Sequence, residues 1–283
     1  MSSLRKSSAT SLAMFLAATS SVFALMGCAM EEEGTEPTDL GVSQDDALAE
    51  TEQAVSATGL SHHQCTSGNC AFDLGTTTGR SCFLGGISGS LDQGGATIYA
   101  AVGGTYRLSL IHAPGQRIGA TAVCVAPKTN AITASWRGGQ SATPINGTVT
   151  SSRRCFLTGI SNTSGYVRGF DTASDYAQVW KDPNGQWFLG GSLAGGADTW
   201  ASAVCLDLPV DQGIWGIVAG AGSTVGFNLA YNSNGVACGL SKLGGKFLTN
   251  SFSDKLGIDY DAGTRYWNIK AVNSKQATAV CYQ

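Results

Sequence analysis

One ordered set of landmarks occurs three times along the chain, and that repetition limits the fold more than any other feature. Cys82-Phe83-Leu84-Gly85-Gly86-Ile87-Ser88 matches Cys155-Phe156-Leu157-Thr158-Gly159-Ile160-Ser161, with a weaker third copy in Cys238-Gly239-Leu240-Ser241-Lys242-Leu243. Each copy is followed by an aromatic-x-aliphatic segment: Tyr106-Arg107-Leu108, Trp187-Phe188-Leu189 and Trp267-Asn268-Ile269. Each then closes on Ala-x-Ala-Val-Cys, at Ala120 to Cys124, Ala201 to Cys205 and Ala277 to Cys281. The chain therefore divides into three tandem units of about 75–80 residues, at 57–130, 131–212 and 213–283.

Long helical periodicity is missing, and glycine pairs punctuate short apolar runs, as expected of strands joined by tight turns. A turn precedes every aromatic segment: Gly103-Gly104, Asp182-Pro183-Asn184-Gly185 and Asp261-Ala262-Gly263. Glycine and asparagine supply the positive φ such turns need, so each unit is expected to hold a β-hairpin at the same place. Further strands are expected in the connectors at Ile132 to Trp136 and Ile214 to Val218. The fold class is all-β. The three units could pack as sandwiches in series, as sheets around a pseudo-threefold axis in a large prism, or as a propeller with two blades per unit. A β-trefoil has repeats of about half this length.

Nine cysteines fit the same frame. Setting Cys28 aside leaves eight, and although eight cysteines allow 105 pairings, the repeat nominates Cys82–Cys124, Cys155–Cys205 and Cys238–Cys281. Cys65–Cys70 is then left to close a small loop at the domain's entrance. In the chain-entropy account a closed loop of ~40–50 residues contributes roughly 4 kcal/mol per bridge.

The amino terminus carries Arg5 and Lys6, then a mostly apolar run from Ser11 to Gly27, too short and too interrupted for a membrane span. It ends in Leu25-Met26-Gly27-Cys28, which resembles the lipobox of bacterial lipoproteins. That resemblance implies a signal peptide over 1–27, cleavage before Cys28 and lipidation of its thiol, with two or three acyl chains as a firm membrane anchor. Residues 28–56 hold nine acids and no base, with almost no aromatic or branched content. Such a segment is expected to be a solvated tether.

The whole chain has a formal charge of −3, yet residues 57–283 contain fifteen Lys and Arg against eleven Asp and no Glu, a balance of +4. This permits an anionic partner such as a surface polysaccharide, and falls far short of the dense basic patch of a nucleic-acid binder.

Among chemical constellations, His62-His63-Gln64-Cys65 with Cys70 is the nearest to a metal site, since two imidazoles and two thiolates suit zinc. In an exported chain the sulfurs are expected to pair instead, leaving His62 and His63 on the surface at the junction of tether and domain. His112 stands alone at a strand end. Asp254, Asp259 and Asp261, and likewise Asp171, Asp175 and Asp182, fall in or beside hairpin turns, where Asp bonds its own backbone. Neither a Gly-x-Ser-x-Gly elbow nor a phosphate-cradling loop occurs. Trp187, Trp267 and Tyr106 recur in every unit and are expected in the core, while Trp136 and Trp215 match between two connectors. Trp180 and Trp200 belong to unit two alone, as does Arg153-Arg154. They are the ligand-binding candidates, because tryptophan and arginine suit sugar faces and anionic groups.

The reading is an exported, lipid-anchored cell-envelope protein, a non-enzymatic binding or adhesin-like module without catalytic residue, cofactor or metal. Its expected partners are the membrane, a surface polysaccharide or another envelope protein. A polysaccharide hydrolase using Asp side chains and a purely structural envelope protein are the alternatives.

Overall fold

Among the described residues eighteen strands follow one another, six from each repeat, and the same six-strand plan recurs three times. The first repeat gives β1 (Leu60–Cys65), β2 (Cys70–Thr76), β3 (Ser81–Gly89), β4 (Gly95–Ala101), β5 (Thr105–Ile111) and β6 (Ile118–Val125). The second gives β7 (Ile132–Arg137), β8 (Thr143–Pro144), β9 (Arg153–Asn162), β10 (Tyr176–Lys181), β11 (Trp187–Ser192) and β12 (Thr199–Asp207). The third gives β13 (Asp211–Val218), β14 (Thr224–Tyr231), β15 (Ala237–Gly245), β16 (Lys255–Asp261), β17 (Tyr266–Val272) and β18 (Lys275–Tyr282). The computed structural model describes residues 59–282 except 92–93, 126–129, 148–149, 163–169, 194–195, 209–210 and 232–235. The expected signal segment, Cys28 and the tether lie outside the described residues. All described residues belong to the unit Leu48–Gln283.

Three six-stranded antiparallel sheets result, and none of them belongs to a single repeat. Sheet one runs β1-β6-β3-β16-β17-β14, sheet two β13-β18-β15-β10-β11-β8, and sheet three β7-β12-β9-β4-β5-β2. In each, the first, sixth and third strands of one repeat join the fourth, fifth and second of another. The joins, or seams, are β3 with β16, β15 with β10 and β9 with β4. Taken in turn the three seams close a ring: the first repeat bonds to the third, the third to the second, and the second to the first.

Facing layers come from the same repeat, since β4 and β5 pack on β6, β11 on β12, and β17 on β18. Each repeat is thus a two-layer wedge, as in a sandwich, and the wedges share hydrogen-bonded sheets around a common centre, as in a prism. Neither separate sandwiches in series nor six propeller blades describe this pairing, because every layer continues into a neighbouring repeat.

The expected hairpins are β4–β5, β10–β11 and β16–β17. Gly103 and Gly104 take φ of 98° and 76° in the first turn, a region that a side chain disfavours. The cysteine pairs are those nominated by the repeat, Cys65–Cys70, Cys82–Cys124, Cys155–Cys205 and Cys238–Cys281. The three long-range bridges join directly opposed residues of the third and sixth strands, with Cα atoms 4.0 Å apart. Four bridges in one domain mark a protein of oxidising surroundings, outside the reducing cytoplasm. At the midpoint of each of these strand pairs, three residues beyond the cysteine, the register slips, leaving Gly85, Thr158 and Ser241 as the extra residue of a bulge. Bulges bend a strand and increase its twist.

β3, β9 and β15 meet at the centre of the ring. There Phe83 and Phe156 stack with centroids 4.2 Å apart and an interplanar angle of 15°, and Tyr282 packs against Phe156 at 5.6 Å. The third copy of the motif has Gly239 at this position. A Cβ at Gly239 would lie 2.4 Å from Phe83 and 2.5 Å from Phe156, so the axis has room for two rings and not three. This is why the third copy departs from its siblings. Gly239→Ala is expected to lower stability by about 2 kcal/mol through overpacking. Urea unfolding should also show that Gly239→Ala with Phe156→Ala costs less than the sum of the two single changes.

The connector tryptophans are not equivalent, which corrects the sequence match. Trp136 pairs with Ala201, and its counterpart in the third repeat is Ile217, paired with Ala277. Trp215 pairs with Ala279 and answers to Ala134, paired with Ala203. An offset of two residues keeps a strand residue on the same face, so both rings still point inward.

Candidate functional site

Along each seam the strands meet edge to edge, and the residues projecting from the outer face differ among the three. Register makes the comparison exact in position. On sheet one, Gly86 of β3 faces Gly257 of β16. The corresponding pairs are Gly159 with Thr97 on sheet three and Lys242 with Gln178 on sheet two. Two glycines bring the backbones close at the first seam: a Cβ on Gly86 would lie 2.7 Å from the Gly257 Cα. At the third-sheet seam the Thr97 side chain fills the same space, 3.0 Å from where a Gly159 Cβ would stand. Only the first seam has both positions without side chains.

A cavity of about 500 Å³ lies at this seam, with Gly257 in its floor. His62 and Gln64 of β1 border it on one side, and Lys255, Asp259 and Asp261 of β16 with Lys270 of β17 on the other. Phe252 and Tyr260 add aromatic surface, and Ser88, Thr121 and Asn268 add hydrogen-bonding groups. The lining mixes polar, aromatic and charged groups of both signs.

His62 reaches two of its neighbours. Its Nδ1 lies 2.7 Å from the Thr121 hydroxyl oxygen and its Nε2 lies 3.5 Å from Asp259 Oδ1. Strands β6 and β3 separate β1 from β16. The two side chains meet above them because Gly86 and Gly257 place nothing between, and because the bulge at Gly85 bends β3. The nearby His62 imidazole holds the Asp259 carboxyl below its ordinary range, helped by the backbone N–H of Tyr260 and the nearby Lys255 and opposed by burial. At the positions matching His62, the other repeats carry Ser135 and Gly216, paired with Ser202 and Thr278 as His62 is with Thr121. At the positions matching Asp259 they carry Tyr99 and Trp180. The scaffold does not require the His62–Asp259 pair, and it occurs at one seam alone.

The expectation that His62 and His63 both sit on the surface is corrected for His63: both belong to β1, on opposite faces, with His62 partly exposed on the outer one. His63 is 4% exposed, stacks on Phe72 at 4.6 Å and bonds the Ser61 hydroxyl at 3.0 Å. Burial, with the neighbouring His62, pushes its pKa down to about 4. It fills the inward place held by Trp136 and Ile217 in the other repeats. Cys65 and Cys70 are joined to each other, so the thiolates of a zinc site are not on offer.

Turn chemistry accounts for three of the six aspartates expected in or beside hairpin turns. Asp261 accepts bonds from the backbone of Gly263 and the hydroxyl of Thr264, Asp182 from the backbone of Gln186, and Asp175 from that of Thr172. Asp254 and Asp259 depart from this pattern: Asp254 is buried against Lys275, and Asp259 belongs to β16 and lines the cleft.

The ligand-binding candidates do not converge. Trp180 lies half-buried on the outer face of sheet two, stacked on Phe188 with centroids 5.7 Å apart. Trp200 lies half-buried on sheet three, between Arg137 and Ser161. Arg153 is 4% exposed and holds Asp207 through two bonds, Nε to Oδ1 at 2.7 Å and Nη2 to Oδ2 at 3.1 Å. That pairing keeps the Asp207 carboxyl below its usual range. Arg154 donates from Nη1 to the carbonyls of Ser151 and Arg153, both at 2.8 Å. The arginines start β9 whereas Trp200 pairs with its far end, roughly 20 Å away at strand rise. They serve the scaffold.

Fold and cleft together define an all-β, disulfide-clamped triple-repeat domain with an open groove at a seam between repeats. No family model matches the chain, and no curated protein matches it either.

Proposed function

We propose that this protein is an exported, lipid-anchored envelope protein that acts as a non-enzymatic binding module, with the glycine-floored cleft of sheet one as its ligand site. The ligand class is a polysaccharide. Sugars are bound by groups of the kind gathered here, carboxylates, amides and imidazoles for the hydroxyls with an aromatic edge for the ring. The observation that carries the reading is the first seam itself: of three equivalent places, one is stripped of side chains and brings His62 Nε2 to 3.5 Å from Asp259 Oδ1. The cations Lys255 and Lys270, with the positive balance of residues 57–283, favour an acidic polymer. The four disulfides support an extracytoplasmic address, and the lipobox-like Leu25 to Cys28 supports anchoring in a membrane by acyl chains.

The test is equilibrium binding to acidic cell-surface polysaccharides. His62→Ala and Asp259→Asn are each expected to weaken binding at least tenfold, with the unfolding midpoint shifted little because both side chains are partly exposed. Unchanged affinity in both variants would remove the cleft from consideration.

One arrangement favours a second reading, as a hydrolase. Thr121, His62 and Asp259 stand in hydroxyl–imidazole–carboxylate order, the sequence of groups that activates a nucleophile. Release of reducing ends or acyl groups from the same polymers, abolished by His62→Ala, would decide for that reading.

A further inference from the structure

Trp180 stands at the position on sheet two that Asp259 holds on sheet one, beside the equivalent seam. Its neighbourhood differs in kind from the cleft. Tyr176, Gln178 and Trp180 are successive outward residues of β10, and Phe188 of β11 lies directly opposite Trp180. Lys242 of β15 lies opposite Gln178 across the seam, with its Nζ 4.6 Å from the centre of the Tyr176 ring. Trp180 and Phe188 are nearly parallel, at 22°. Three aromatic rings and a cation thus share one patch of the outer face, all half-buried and so held in place by their surroundings. Neither of the other seams repeats this set, so the core does not demand it.

We infer that this patch is a second binding site, an aromatic platform that takes the flat face of a sugar ring in an acidic polysaccharide. Stacking on Trp180 and Phe188 covers the C–H face of a pyranose, and Lys242 meets its carboxylate. The inference rests on the polysaccharide reading of the cleft and extends it. Because the pseudo-threefold plan sets cleft and platform on different sheets, a long polymer can engage both, whereas a short oligosaccharide fills one. Linked engagement raises apparent affinity by roughly 10²–10⁴ over a single site when the polymer spans both.

The experiment compares the oxidised full chain with its variants on polygalacturonate, alginate and hyaluronate, and on trisaccharides of each. Trp180→Ala is expected to weaken polymer binding at least tenfold while leaving trisaccharide affinity at the cleft within about twofold. Should Trp180→Ala fail to fold, Lys242→Glu, which keeps the rings and reverses the charge, is expected to weaken polymer binding at least fivefold. Polymer affinity unchanged in these variants but lost in His62→Ala would overturn the platform and keep the cleft. Affinity lost in Trp180→Ala but unchanged in His62→Ala and Asp259→Asn would overturn the cleft reading and leave the platform as the site. No binding to any of the three polymers would overturn both.

Discussion

Deleting residues 213–283 is expected to abolish the cooperative fold of the first two repeats as well as the third. Sheet one would lose β16, β17 and β14, leaving the β3 edge of the first repeat open. Sheet two would lose β13, β18 and β15, leaving the second repeat's β10, β11 and β8 as an isolated ribbon. The centre would lose Tyr282 and the strand that carries Gly239. Covalent clamps offer no substitute, because each of the four bridges lies within one repeat. Unpaired backbone groups and exposed apolar faces are then left without compensation, and a three-stranded remnant is at the limit of independent stability. Thermal unfolding followed by circular dichroism checks this. The full chain should melt in one transition and the 1–212 fragment in none, whereas two surviving transitions would mean that the repeats stand alone.

That dependence explains which features were legible in the sequence. The cysteine pairing could be read because motif and bridge lie within one repeat, where spacing reports directly on contact. Hairpins at Gly103-Gly104 and Asp182 to Gly185 were legible for the same reason, as turn chemistry is local. The way the units join was not, since the pairing of Gly86 with Gly257 links residues 171 apart and leaves no local pattern. The cleft stayed hidden with it. His62 reads as a junction histidine and Asp259 as a turn residue until the first seam sets them face to face. Like Trp180, His62 and Asp259 are residues that the scaffold does not need three times. In their case only the register of β1 and β16 against their counterparts reveals it. Arg153 shows the opposite case: it too is peculiar to one repeat, and it is buried and bonded to Asp207 through Nε and Nη2.

Lys275→Met is expected to destabilise the protein by about 3–5 kcal/mol, the range for removing one partner of a buried ion pair. Lys275 is 0% exposed and Asp254 4%, and the two are bonded directly through Nζ and Oδ1. Asp254 also accepts from the hydroxyl of Thr249 and, at 3.3 Å, from the amide of Asn273, while Lys275 sits 4.7 Å from the centre of the Phe247 ring. Burial pushes the Lys275 pKa down, and Asp254 opposes that shift. The pair belongs to the third repeat alone, for the matching places hold Thr199 with Asp175 and Ile118 with Gly94. It lies next to the cleft, at the end of the segment that brings Phe252 and Lys255 to the cavity wall. Removing the cation leaves a carboxylate in the interior without its charge partner, so the segment from Thr249 to Asp254 should loosen and ligand affinity should fall along with stability. Lys275→Met combined with Asp254→Asn leaves no buried charge and should cost much less than Lys275→Met alone, on the order of 1 kcal/mol. Urea midpoints of the two variants separate the possibilities: equal losses would mean that side-chain volume matters at this site and charge does not.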